Sequence, residues 1–126
     1  MIDQSINKLN LIQDNINKLN ENNLVKPEII CVSKTFSINK LQPLIDYGQV
    51  HFGENKVKEA EEKWGNIKLN NTKIKLHMIG NLQSNKAKKA VKLFDFIHSL
   101  DNVKLAKLLK KSEEELKKKL SYFIQV

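Results

Sequence analysis

Short apolar runs alternate with helical patterns along this chain, and that alternation limits the folds open to it. The runs are Ile29–Val32, Val50–Gly53, Ile74–Ile79, Phe96–His98 and Tyr122–Val126. Each of the first four is followed by an amphipathic helical pattern. Strands alternating with helices assemble as parallel units with right-handed crossovers, so the expected class is α/β. Ile29–Val32 lacks polar alternation, which suits a parallel strand covered on both faces.

A further helix precedes the first strand. Ile2, Ile6, Leu9, Ile12, Ile16 and Leu19 recur in threes and fours, the spacing of a helix packed on the domain, and Glu21-Asn22-Asn23 ends it. The second helix carries Ile38, Leu41, Leu44 and Ile45, with Asn39 as candidate N-cap and Gly48 at C′. Pro43 is expected near its first turn. The third opens at Glu54-Asn55, runs through Val57, Ala60, Glu61 and Trp64, and stops at Gly65; a loop follows to Lys73. Asn81 or a neighbour caps the fourth, which carries Ala87, Ala90, Val91 and Phe94. Asp101 caps the fifth, with Leu105, Leu108, Leu109, Leu116 and Leu120. A parallel sheet stopping at a fifth strand leaves an unpaired edge. The expectation is therefore the first part of a longer (β/α) barrel. The 126 residues make one small domain, below the roughly 200 of a complete eight-stranded barrel.

Composition narrows the function. Net charge is +8, yet every basic residue is lysine. Arginine, the usual bidentate reader of guanine, is absent, and aromatics are not interleaved with the lysines. Nucleic-acid binding is thus the lesser reading. One cysteine, Cys31, rules out an intramolecular disulfide. No run approaches the length of a membrane span and the N-terminus has no apolar signal core, so the expected location is the cytoplasm.

Polar residues gather where the apolar strands end. The first strand leads to Ser33-Lys34, the second to Gly53-Glu54-Asn55, the third to Gly80 through Lys86. In alternating barrels that rim carries the chemistry. A lysine in a partly desolvated pocket can lose its proton and attack a carbonyl, forming a Schiff base. A lysine capping a strand in solvent is the plainer reading. Glu54 is a candidate acid or base, although an exposed first-turn glutamate is the simpler expectation. His51, His77 and His98 fall one per strand and match no short metal-ligand spacing, so no metal is expected.

The motifs together resemble one family. Val32-Ser33-Lys34, Phe52-Gly53-Glu54-Asn55 with Val57 and Glu59, His77 through Lys86, and His98-Ser99-Leu100-Asp101 resemble the pyridoxal phosphate homeostasis proteins of the YggS/PROSC type. The resemblance runs from about Pro27 onward. It implies an α/β barrel like the N-terminal domain of alanine racemase, here as its first half: a helix, four βα units and the start of a fifth strand, residues 1–126 forming one partial domain cut short at its C-terminal end. It implies pyridoxal 5′-phosphate held as a Schiff base on Lys34, with Asn55 and His77 as further cofactor contacts. His77, Gly80, Gln83, Asn85 and Lys86 fall on the third rim segment. The family's phosphate-binding segments and the arginine facing the pyridine nitrogen lie in the second half of such a barrel. The implied role is a carrier without catalytic residues, a monomer when full-length, serving vitamin B6 balance and PLP-dependent apo-enzymes. A racemase-like enzyme is the alternative; it requires a second acid/base, and Tyr47 and Tyr122 are not at rim positions.

Overall fold

The structure is a computed structural model that describes residues 3–22 and 25–126. Ile2, the first apolar position of the expected N-terminal helix, and Asn23 of its terminator lie outside the described residues. The elements run α1 (Gln4–Leu19), β1 (Cys31–Val32), α2 (Ile38–Tyr47), β2 (His51–Glu54), α3 (Val57–Asn70), β3 (Lys75–Met78), a 3-10 turn (Ser84–Lys86), α4 (Ala87–Leu93), β4 (Phe96–Leu100), α5 (Val103–Leu116) and β5 (Ser121–Ile124). All five strands are parallel and lie in chain order, β1-β2-β3-β4-β5. That is the order a (β/α) barrel wall requires.

Several local boundaries differ from expectation. Helix α2 is preceded by Ser37, not Asn39, and encloses Pro43. Gly48 ends it at φ +106, a left-handed value glycine adopts without a Cβ clash. Gly65 does not stop α3, which continues to Asn70 because Ile67 packs against the core behind it. Asn102, not Asp101, caps α5, accepting the Leu105 N–H at 2.8 Å. The segment after Gly80 passes through the 3-10 turn before α4 begins at Ala87.

The expected covering of both sheet faces is also corrected. Burial alternates along β4, whereas β2 and β3 are each buried at their last three positions. Phe52, Glu54, Leu76, Met78, Ile97 and Ser99 are buried against the helices. There Phe52 meets Trp64 of α3 at 4.8 Å between ring centroids, and Val57, Ala60, Ala90, Val91, Leu105 and Leu109 complete the core. The opposite face carries Val32, His51, His77, Phe96, His98 and Phe123. Val32 and Phe123 there are each about half exposed. His51 of β2 and Lys75 and His77 of β3 take the alternate positions of two-faced strands, while Glu54 shares the helix-facing side with Phe52.

At the N-terminal ends of the strands, lysines close the sheet. Lys68 of α3 pairs with Asp95 at 2.6 Å and donates to Leu93 O at 2.7 Å. Lys118 donates to Lys92 O at 3.1 Å and Phe94 O at 3.0 Å. These cations satisfy carbonyls left open at the end of α4, where positive charge suits the helix dipole.

Candidate functional site

Lys34 stands in a tight turn immediately after β1. The Phe36 N–H donates to Ser33 O at 3.2 Å, which closes residues 33–36 into a β-turn with Lys34 and Thr35 at its corner. Thr35 has φ +67. A positive φ at that position is the geometry of a type II turn and is normally taken by glycine. A β-branched residue there is a genuine outlier, costing about 1–3 kcal/mol. Lys34 is exposed and carries no side-chain hydrogen bond among the described residues.

The turn is fastened from beneath. Ser33 N–H donates to Gly53 O at 2.9 Å, and the Ser33 hydroxyl reaches Gly53 O at 3.2 Å and the Glu54 carboxylate. Glu54 is fully buried, contrary to the expectation of an exposed glutamate, because it ends β2 on the helix-facing side. Trp64 Nε1 donates to it at 3.1 Å, and Lys63 Nζ lies 3.0 and 3.2 Å from its two oxygens. Lys63 also donates to Ser33 O at 2.7 Å and to Glu59 at 3.3 Å. Glu59 in turn accepts the Thr35 N–H at 2.6 Å. That N–H does most to hold the Glu59 carboxyl below its ordinary value, against the opposing effect of burial, with Lys63 and Lys56 adding to it.

Glu59, Lys63 and Trp64 escaped the sequence reading as parts of the site. Their signal is there: a glutamate and a lysine four apart on one helical face, beside a tryptophan, facing a strand whose last residue is acidic.

Asn55 follows β2, partly buried. Gly80 lies against its backbone: a Cβ on Gly80 would stand 2.5 Å from Asn55 O and 2.9 Å from Asn55 Cα. Backbone cannot yield as a flexible side chain can. Gly80→Ala is therefore expected to lower the unfolding free energy by about 1–3 kcal/mol and to move the Asn55 amide resonance. Gly65→Ala, within α3 and with nothing within 4 Å of its Cβ, is expected to raise stability by about 1 kcal/mol. Urea denaturation of the two variants checks both signs. An open cleft of about 650 Å³ separates these two rim segments, with Asn55, Glu59, Gly80, Gln83 and Lys86 among its walls. Asn85 instead faces α5, and Lys34 does not line the cleft.

His77 sits lower in the sheet, level with Gly53. Its Nε2 is 2.9 Å from His51 Nδ1 and its Nδ1 is 2.8 Å from His98 Nε2. Phe96 stacks on His77 at 4.2 Å and Phe123 on His98 at 4.5 Å. Glu28 lies 3.7 Å from His51 Nε2 at the end of this row. Burial, then the neighbouring His51 and His98, bring His77 down to about 4, with Asp95 opposing; burial lowers His98 as well. The structure thus brings Lys34 and Asn55 to one rim and engages both ring nitrogens of His77 below it. No group of three His, Cys, Asp or Glu side chains among the described residues is placed to hold a metal ion.

No family model matches the chain. Curated relatives do. It is 40% identical over 125 residues to the pyridoxal phosphate homeostasis protein of Buchnera aphidicola subsp. Baizongia pistaciae, covering 99% of this chain and 54% of that protein. It is 36% identical over 99 residues to the protein of the same name from Pasteurella multocida, covering 79% and 42%. Among solved structures it resembles PipY of Synechococcus elongatus with PLP bound, at TM-score 0.71 and 34% identity, over 86% of this chain and 51% of PipY. A Bifidobacterium adolescentis protein of unknown function shares the fold, at TM-score 0.75 and 23% identity. The chain spans about half the length of the curated relatives it matches. It is a relative of the pyridoxal phosphate homeostasis proteins, matching them as an N-terminal portion.

Proposed function

We propose that this chain binds pyridoxal 5′-phosphate and serves intracellular homeostasis of that cofactor, holding it as a Schiff base on Lys34. The observation that carries the reading is the placement of Lys34: an exposed amine on a fastened turn at the strand-end rim, in a chain similar to PipY, which was solved with PLP bound. When bound, the cofactor would supply an aldehyde able to condense with a primary amine with loss of water. The residues present fit that group. Lys34 offers the amine, and Asn55 on the neighbouring segment offers an amide as a lesser contact. His77, the third proposed contact, lies in the row beneath the rim with both ring nitrogens engaged by His51 and His98.

The finer architecture in this reading is the alanine racemase N-terminal type of barrel, with residues 1–126 forming one partial barrel domain. The proposed role is a cytoplasmic carrier without turnover, a monomer when full-length, which passes cofactor to PLP-dependent apo-enzymes and uses neither nucleic acid nor a membrane. No helix among the described residues is long and apolar enough to cross a membrane.

Incubation with pyridoxal phosphate, borohydride reduction and peptide mapping test the proposal. The label is expected to concentrate on Lys34, and Lys34→Ala is expected to abolish that site. Label scattered over surface lysines, unchanged in Lys34→Ala, would overturn it.

A further inference from the structure

We infer that Glu59 and Lys63 are positioning residues for Lys34, holding the strained turn that presents its amine at the rim. The inference rests on the reading of Lys34 as the cofactor lysine. It begins from the backbone. Thr35 at φ +67 occupies a conformation that a β-branched residue avoids, so something outside the turn must hold it there.

Two side chains from one helix do so. Glu59 accepts the N–H of Thr35 at 2.6 Å, on one side of Lys34. Lys63 donates to the carbonyl of Ser33 at 2.7 Å, on the other side. The two also pair with each other at 3.3 Å, so they act on the turn as one unit. Thr35 closes the arrangement by donating its hydroxyl to Lys34 O at 2.5 Å. The peptide groups on both sides of Lys34 are thereby fixed while its side chain stays unengaged. An amine that must meet an aldehyde in one orientation gains from such preorganisation, because the turn need not be ordered on binding. Lys63 is in turn anchored on buried Glu54, which ties the turn to the core.

Glu59 allows a clean test, since its side chain is about one-third exposed and its truncation leaves the buried pair intact. In the 126-residue chain, Glu59→Ala is expected to raise hydrogen exchange at the Thr35 amide and to lower the borohydride-trapped label on Lys34, relative to all other lysines, by roughly tenfold, the weight of one charge-assisted hydrogen bond. Glu59→Gln keeps an acceptor for the Thr35 N–H and is expected to restore most of the label. A purely structural Glu59 would alter the melting transition without this selective rescue. Unchanged Thr35 exchange in Glu59→Ala overturns the inference, as does faster exchange with full Lys34 labelling. The exchange measurement needs no cofactor. Wild-type protein without preferential label on Lys34 would therefore refute the cofactor reading separately, while Thr35 exchange still decides whether Glu59 holds the turn.

Discussion

Lys63→Met is expected to lower the unfolding free energy by about 3–5 kcal/mol, the usual cost of removing one partner from a buried ion pair. The Lys63 side chain is 8% exposed and that of Glu54 is 0% exposed. Methionine fills much of the volume but leaves the carboxylate without its cation. Ser33 and Trp64 still donate to Glu54, so the loss arises from charge rather than from packing alone. The double variant Glu54→Gln with Lys63→Met removes both charges and is expected to recover a large part of the stability, since neutral replacement of a buried pair is often tolerated. Urea denaturation of the single and double variants measures the difference. A single-variant loss below about 1 kcal/mol would show that the pair behaves like an exposed one.

Stability should also fall on mild acidification, through His77. Its folded value is near 4 against an ordinary 6.5. In the window between them the unfolded chain binds a proton that the folded chain refuses. Stability is therefore full above about pH 6.5 and declines as pH falls toward 4. The difference corresponds to an order of 3 kcal/mol at the lower end. His51 and His98 face the ring from either side, and Asp95 opposes them. Glu28 acts at the far end of the row. His77→Phe, which can keep the stack on Phe96, is expected to flatten this dependence. Denaturation midpoints at pH 7 and pH 5 read the effect, before most carboxylates titrate. An unaltered slope in His77→Phe would assign the acid sensitivity elsewhere.

Periodicity made the order of elements legible, because a short apolar run beside an amphipathic stretch has few other solutions. The exit of β1 at Lys34 was legible for the same reason. Three features were not. The two-faced character of β2 and β3 was hidden by their shortness: four residues such as His-Phe-Gly-Glu leave only two side chains per face. Glu54 read as exposed because charge predicts exposure. Its burial depends on Lys63, nine residues on, and Trp64, ten residues on, which only the packing of α3 on β2 brings together. The left-handed Thr35 was invisible, since threonine is a residue from which no such turn would be inferred. Gly65 misled in the opposite direction: a lone glycine inside a helix costs less than the burial of the apolar face around it.

The row of three hydrogen-bonded imidazoles has a directional consequence. A neutral ring carries one N–H and one lone pair. His77 uses both nitrogens on its neighbours, so its two contacts must point the same way along the row. Fixing the tautomer of His51 then fixes that of His77, and His77 fixes His98. Glu28 beside His51 Nε2 favours the N–H on that nitrogen. His51 Nδ1 must then accept from His77, and His77 Nδ1 from His98. Reversing any one ring requires reversing all three, so a single carboxylate at the margin of the sheet orients a line of dipoles across three strands.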